Sequence, residues 1–588
     1  MMHGSDRISG SHGPNVRRSL SRRWAEALTA FLLLIMAVNM LSVIARKGIT
    51  VDEAIHIPAG YLHLVAGDFQ VNNEHPPLIK MWAALPLLLI QPEEPSLRSP
   101  ADENFAERTW AMQSFWEQNR ARYESICFWP RVMMILLTLG LGALIFVYGR
   151  KLFGAGAAVI AVALFTLEPT VLAHGHIVHT DIASAFAYLL FFVALHAYAE
   201  TKTFGRALLL ALATSIAVLT KFSLLVVIPV LAVAAVWLFV RSPRDGKKRI
   251  VVHAAVIVLF GFVVLNAAYR LQHPPLEASD VRWVGMKSAN NFAAITTGIR
   301  LASRIVPTYY LFGVYNIGIH NEYGHQASLL GMYSERGWWY YFPVAFALKS
   351  TIPFLLIAVA ALTWAVWRGS KHRETQFWFC LAPLAVYAAI AMSSHIDIGI
   401  RHFLPTYPFL FILGGGLLAR LLTSRRKTLS LVLVTIAFGW MLFEVARTFP
   451  DCLPYMNQLA SSHPHWWYLS DSNVEWGEDN KQLADYLKAR AETQVSAAVL
   501  GDRFALPQYG IEYVDLLGPK VSRDRPPTRY VAIGVSFLNG STIPPDDAIP
   551  GRKVGESQNY LSAYRDRTPE AIFGNSIYLY REDLDGNR

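Results

Sequence analysis

Asp52 and Glu53 stand side by side in Thr50-Val51-Asp52-Glu53-Ala54-Ile55-His56, directly after the first long apolar run of a 588-residue chain. Carboxylates this close to hydrocarbon are costly and tend to have a task. Such a pair offers a base for an attacking hydroxyl or amine, and the plainer reading is a helix start that favours acids for its dipole. A second stretch, Asn72-Asn73-Glu74-His75-Pro76-Pro77-Leu78-Ile79-Lys80, fixes a turn with its proline pair and leads into an apolar helix carrying Lys80. A third acid, Asp181, closes Glu168-Pro169-Thr170-Val171-Leu172-Ala173-His174-Gly175-His176-Ile177-Val178-His179-Thr180-Asp181. His174, His176 and His179 look superficially like a zinc site, yet no fourth ligand accompanies them. No metal is assigned, and a divalent cation is left open. Asp181 is the third catalytic candidate, against a helix-capping role.

These residues need elements to hold them, and the composition says which. With 53% hydrophobic and 16% charged residues, the chain is too apolar for a soluble protein of its length. The net charge of +10 is spread over clusters between apolar runs: Arg17, Arg18, Arg22 and Arg23, then 150–151, 202–206, 241–249, 368–373 and 420–427. That is the positive-inside pattern and excludes a nucleic-acid patch. Cys127, Cys380 and Cys452 are too few for a disulfide framework. The run at 24–44 outlasts a signal-peptide core and reads as a retained anchor.

With the basic clusters in the cytoplasm, spans are expected at 24–44, 131–149, 154–173, 182–200, 207–220, 222–240, 250–269, 351–367, 376–392, 403–419 and 429–446. Lys221 marks an outer turn between two short spans. The expected fold is mainly α, a polytopic helical membrane protein of about eleven transmembrane helices with a small extracytoplasmic α/β C-terminal domain. A basic cytoplasmic N-terminus (1–23) precedes a membrane domain (24–449), and the C-terminal domain covers 450–588. Loops 45–130 and 270–350 fall outside, rich in aromatic residues and proline, as suits helices along an interface. In the tail a helix at 480–490 and strands at 495–500, 530–537 and 576–580 are expected.

In this topology Lys80, Arg131, Lys221, Lys349 and Arg401 sit at the outer ends of spans, against the charge rule. Each alone reads as a snorkelling side chain; five at one edge suggest an anion at that depth. Carboxylates and cations together suit displacement at a sugar carbon bearing a lipid-linked phosphate. The phosphate leaves without protonation but needs its charge stabilised, and the acceptor needs a base. No strand-linked GxGxxG and no P-loop is present, and Gly414-Gly415-Gly416 lies within a span, where it reads as helix packing.

At these residues the chain resembles the C-superfamily membrane glycosyltransferases, in particular the protein O-mannosyltransferase and aminoarabinose transferase group. The resemblance rests on Asp52-Glu53, on His75-Pro76-Pro77-Leu78-Ile79-Lys80, on His179-Thr180-Asp181 and on Arg401-His402-Phe403-Leu404-Pro405-Thr406-Tyr407-Pro408. Gly337-Trp338-Trp339-Tyr340-Tyr341-Phe342-Pro343 and Asp471-Ser472-Asn473-Val474-Glu475-Trp476-Gly477-Glu478-Asp479 resemble a bacterial branch of carrier-dependent glycosyltransferases. The resemblance implies a polyprenyl-phosphate sugar donor, an inverting displacement and a bacterial plasma-membrane location with the site outside. It implies Asp52 as base, Glu53 as the acceptor-binding acid, and Lys80 and Arg401 as donor-phosphate contacts. Arg131 and Lys349 join these as phosphate candidates, and His75, His402 and Tyr340 as substrate-binding candidates. The expected partners are the lipid donor, membrane lipids and a glycan, lipid or protein acceptor. Loop 270–350 is too short for the β-trefoil of the O-mannosyltransferases, which leaves the acceptor open. The competing class is a transporter or flippase of a lipid-linked or anionic substrate, which calls for charges at the midplane and a repeat.

Overall fold

Backbone polar groups inside a bilayer must be satisfied within the chain, and long apolar runs meet that demand as helices. The computed structural model, which describes residues 22–95, 106–517, 528–542 and 559–582, is mainly helical. Arg17 and Arg18 of the basic N-terminus lie outside the described residues. Among the described residues nine helices are long and apolar enough to cross a membrane: Arg22–Arg46, Arg120–Phe153, Asp181–Glu200, Phe222–Arg241, Arg244–Ala268, Ile352–Lys371, Thr375–Met392, Ile400–Leu422 and Lys427–Thr448. Two shorter apolar helices, Ala155–Thr166 and Phe204–Thr220, occupy the other two expected spans. Lys221, extended at φ −154° and ψ 139°, separates Phe204–Thr220 from the turn Phe222–Val226 that opens the next helix. The break falls where the sequence places an outer turn.

Close packing at the centre follows from small residues. A Cβ on Gly415 would stand 2.3 Å from the Ala157 carbonyl oxygen, so the helices Tyr407–Leu422 and Ala155–Thr166 meet backbone to backbone. The expected packing role of the 414–416 glycines is realised there.

Both long loops are helical. The first carries Glu53–Val65, Leu78–Ala84, Leu87–Ile90 and Ala106–Gln118; the second carries Ala278–Lys287, Phe292–Ala302, Thr308–Tyr323 and Tyr341–Lys349. Between the last two lies a hairpin of β1 (Ala327–Leu329) and β2 (Met332–Ser334). Within the first loop, a Cβ on Gly60 would lie 2.1 Å from the Lys80 carbonyl oxygen; glycine lets Glu53–Val65 seat directly on Leu78–Ala84 and fixes the turn carrying His75.

After the last span the chain turns back over the bundle. Leu469, Val474 and Trp476 belong to the same continuous core as the membrane helices. Helix Asn480–Lys488 then leads into a five-stranded sheet of β3 (Gln494–Ala498), β4 (Glu512–Asp515), β5 (Tyr530–Gly534), β6 (Ala571–Phe573) and β7 (Ile577–Arg581), ordered β4-β3-β5-β7-β6. The β3 strand pairs in parallel with β4 and β5, while β7 is antiparallel to β5 and β6. The small α/β unit expected from the sequence is present; β4 and β6 are short edge strands that the sequence pattern does not announce.

Candidate functional site

A cavity of about 1280 Å³ opens where the two loops meet the ends of the spans. Asp52, His75, His179, Lys221, Arg401 and His402 line one end of it, and the second loop supplies much of the opposite wall through Trp283, Asn316 and His325. Its size suits a sugar and a phosphate headgroup, larger than a typical drug-sized pocket.

Asp52 precedes the helix Glu53–Val65 and makes no side-chain cap bond to it. Its side chain keeps 29% of its exposure, toward the cavity. One carboxylate oxygen lies 3.3 Å from His179 Nε2 and 3.5 Å from an Arg401 guanidinium nitrogen. Burial works to raise the Asp52 pKa, but the His179 hydrogen bond and the Arg401 charge outweigh it and hold the carboxyl well below the usual carboxylate range. The other ring nitrogen of His179 lies 2.6 Å from Asp181. Asp181, first residue of Asp181–Glu200 and buried, also meets Lys221 Nζ at 2.5 Å and Arg401 at 3.3 Å. Two carboxylates, an imidazole between them and two cations thus form one connected group, with Asp52 on its open side.

The other expected residues lie elsewhere. Glu53 is fully buried against Arg131, at 2.6 Å, and also accepts the backbone N–H groups of Thr50 at 2.8 Å and Val178 at 2.9 Å. Arg131 spends further donors on the carbonyls of Lys47 and Gly48. This pair staples the first loop to two spans, outside the cavity lining. Lys80 donates to the Asn72 and His75 carbonyls and to the Asn72 side chain; burial pulls its pKa down to about 7 although the Glu74 carboxylate opposes this. It clamps the turn that presents His75. Lys349 donates to the carbonyls of Leu453 and Asn473, and burial likewise lowers its pKa to about 7. Tyr340 stands at the N-cap position of Tyr341–Lys349 without a side-chain cap bond, its ring perpendicular to that of Trp339. Of the five span-end cations, Lys221 and Arg401 are the two that line the cavity. A position at a span end is legible in sequence; the carbonyls that consume Lys80, Arg131 and Lys349 are not.

The histidine run separates in space. His176 meets the Leu172 carbonyl and His174 packs on the Trp476 ring; His179 alone turns to the cavity. There it stacks on His56, with ring centroids 4.7 Å apart, and both meet the edge of His75. One nitrogen from each of these three rings lies within 4.8 Å of the others. Burial first, then neighbouring positive groups, pushes the pKa of His56 and His75 well below the ordinary value. Imidazole nitrogens beside the Asp52 carboxylate are suitable donors for a borderline divalent cation. A tetrahedral ion wants nitrogens about 3.3 Å apart, so the rings would have to draw in. Bound there, a cation would supply a positive charge at the Asp52 end of the cavity. His56 is not singled out by the sequence, and His179 stands out there only in its histidine run and in His179-Thr180-Asp181, because the three rings that meet come from separate segments and share no motif.

The architecture is that of a multi-pass helical membrane protein whose loops roof a charged cavity. A family model described as dolichyl-phosphate-mannose-protein mannosyltransferase matches residues 124–266, a stretch holding Arg131, His179, Asp181 and Lys221. The chain is similar to the C-superfamily membrane glycosyltransferases, as its motifs imply. Among solved structures, ArnT from Cupriavidus metallidurans bound to undecaprenyl phosphate is similar at 13% identity and a TM-score of 0.47, over 97% of this chain and 100% of that one. ArnT from the same organism in the apo state gives 14% and 0.45, over 83% and 75%. The apo oligosaccharyltransferase of Archaeoglobus fulgidus gives 12% and 0.45, over 84% and 64%. No curated protein matches the chain.

Proposed function

We propose that this protein transfers a sugar from a polyprenyl-phosphate carrier to an acceptor hydroxyl or amine, by inverting displacement, at the extracytoplasmic face of a bacterial plasma membrane. The observation that carries the reading is the meeting of an ionised, cavity-facing Asp52 with Arg401 and Lys221 at one end of a cavity with room for a sugar and its phosphate. The match to the mannosyltransferase family model supports it.

In the free protein Asp52 and Asp181 occupy the cations. A donor phosphate competes for Arg401 and Lys221, and in taking Arg401 it frees Asp52 for the acceptor. The acceptor oxygen or nitrogen then attacks the anomeric carbon and its proton passes to Asp52. The bond from that carbon to the phosphate oxygen breaks with its electron pair, leaving the polyprenyl phosphate as an anion held by the two cations. No proton is needed on the leaving group. His179, flanked by both carboxylates, keeps Asp52 oriented.

Membranes containing the wild-type protein, given a panel of labelled polyprenyl-phosphate sugars, should move label from one of them to a product identified by mass, with matching release of polyprenyl phosphate. Label that crosses the membrane still on its lipid would contradict the reading and favour a flippase. For the sidedness, a cysteine at the exposed Thr493 should react with an impermeant maleimide in intact spheroplasts, the three native cysteines being buried. Reaction only after lysis would place the site on the other face.

A further inference from the structure

The segment from Ser470 to Asn480 is buried between the membrane helices and the C-terminal sheet, yet it carries more hydrogen-bonding side chains than a linker needs. On the sheet side, the Glu475 carboxylate accepts the backbone N–H groups of Leu500 at 3.0 Å and Ser536 at 2.8 Å, and Asp479 joins Ser576 beside the sheet to Lys47 at the end of the first membrane helix. On the membrane side, the Asn473 carbonyl oxygen of the side chain accepts the Ile400 N–H at 2.9 Å, and its amide donates to the Tyr341 hydroxyl at 2.8 Å. Buried polar groups satisfied on both sides fix a segment in one place.

What the segment presents to the cavity end is a seat for Arg401. The Arg401 Nε donates to Ser472 Oγ at 2.8 Å, and that hydroxyl donates to the Ile398 carbonyl at 2.7 Å. The guanidinium lies over the Trp476 ring, 4.3 Å from its centroid. Ser472 is fully buried and Trp476 is 2% exposed. The Trp476 carbonyl also accepts the Val51 N–H at 2.9 Å, one residue before Asp52, and its ring packs on His179 at 5.4 Å. One face and the Nε edge of the guanidinium are thereby used, and its Nη1 lies 3.5 Å from Asp52 and 3.3 Å from Asp181 at the cavity end.

We infer that Ser472 and Trp476 are positioning residues for the donor-phosphate arginine, so that the tail domain completes the catalytic site instead of standing beside it. This rests on the donor reading above. A desolvated cation over an indole face is held firmly, and a guanidinium free to swing would meet a phosphate with lost orientation.

The test uses the full-length protein in lipid nanodiscs, with polyprenyl phosphate and the phosphate-free polyprenol as paired probes. Trp476→Leu should weaken polyprenyl phosphate roughly ten- to thirty-fold, the scale of a desolvated cation–π contact, and leave polyprenol binding unchanged. Trp476→Phe, which keeps an aromatic face, should stay within about three-fold of wild type. Ser472→Ala removes a single hydroxyl and carries the same expectation of selective loss should Trp476→Leu fail to fold. Phosphate binding unchanged in Trp476→Leu or Ser472→Ala, or phosphate and polyprenol lost alike, would overturn the inference. The wild-type arm speaks to the donor reading separately: wild-type protein that does not prefer the phosphate lipid contradicts that reading, and this inference falls with it.

Discussion

As the proposed base, Asp52 owes its ionised form to what surrounds it, and that surrounding makes its titration informative. Burial alone would raise its pKa; the His179 hydrogen bond and Arg401 reverse this and keep the carboxylate ionised. A base works only when unprotonated, so activity is lost as pH falls through its pKa. The acid limb of kcat/KM, which reports the free enzyme, should therefore lie below the ordinary aspartate value of about 3.9. Arg401→Gln removes one of the lowering charges, so its limb should move up toward neutrality. A pH–rate profile of both proteins checks this, and a wild-type limb above pH 5 or so, unmoved by Arg401→Gln, would contradict the assignment. Asp52 was legible in the sequence because an acid at a hydrocarbon edge stands out. His179 was visible as one of three histidines and in His179-Thr180-Asp181, but not as the link to Asp52, which lies on a separate segment, because the ring's direction is set by packing.

At the scale of elements, the spans were legible because apolar length and charge clusters are local properties, and even the break at Lys221 follows from them. The strands β4 and β6 were not, being edge pieces of four and three residues whose pairing depends on neighbours far along the chain. Glu53 shows the same limit on a single residue. It sits beside Asp52 in sequence, but one helical step turns it into the protein, where it pairs with Arg131 on the second span. Removing one partner of a buried pair leaves a charge uncompensated, at a cost of about 3–5 kcal/mol. Glu53→Gln should accordingly lower the unfolding midpoint in detergent while each folded molecule keeps near-normal turnover. An unchanged midpoint with selective loss of acceptor use would return Glu53 to the acceptor site.

For the whole molecule, the site is assembled from four regions: the first loop gives Asp52 and His75, the central spans give His179, Asp181 and Lys221, a later span gives Arg401, and the tail seats that arginine. The sequence pointed to each motif, including 471–479, without saying that they converge, because convergence depends on buried contacts such as Val51 to Trp476 that no local pattern encodes. The proposed transfer requires Asp52 to act chemically at that convergence. Its most direct test is single-turnover sugar transfer by Asp52→Asn that is folded and loaded with a polyprenyl-phosphate sugar. The rate should fall about 10²- to 10⁴-fold, the range of a lost general base, while donor affinity stays within a few-fold of wild type. A donor-loaded Asp52→Asn that transfers within a few-fold of the wild-type rate would contradict the account.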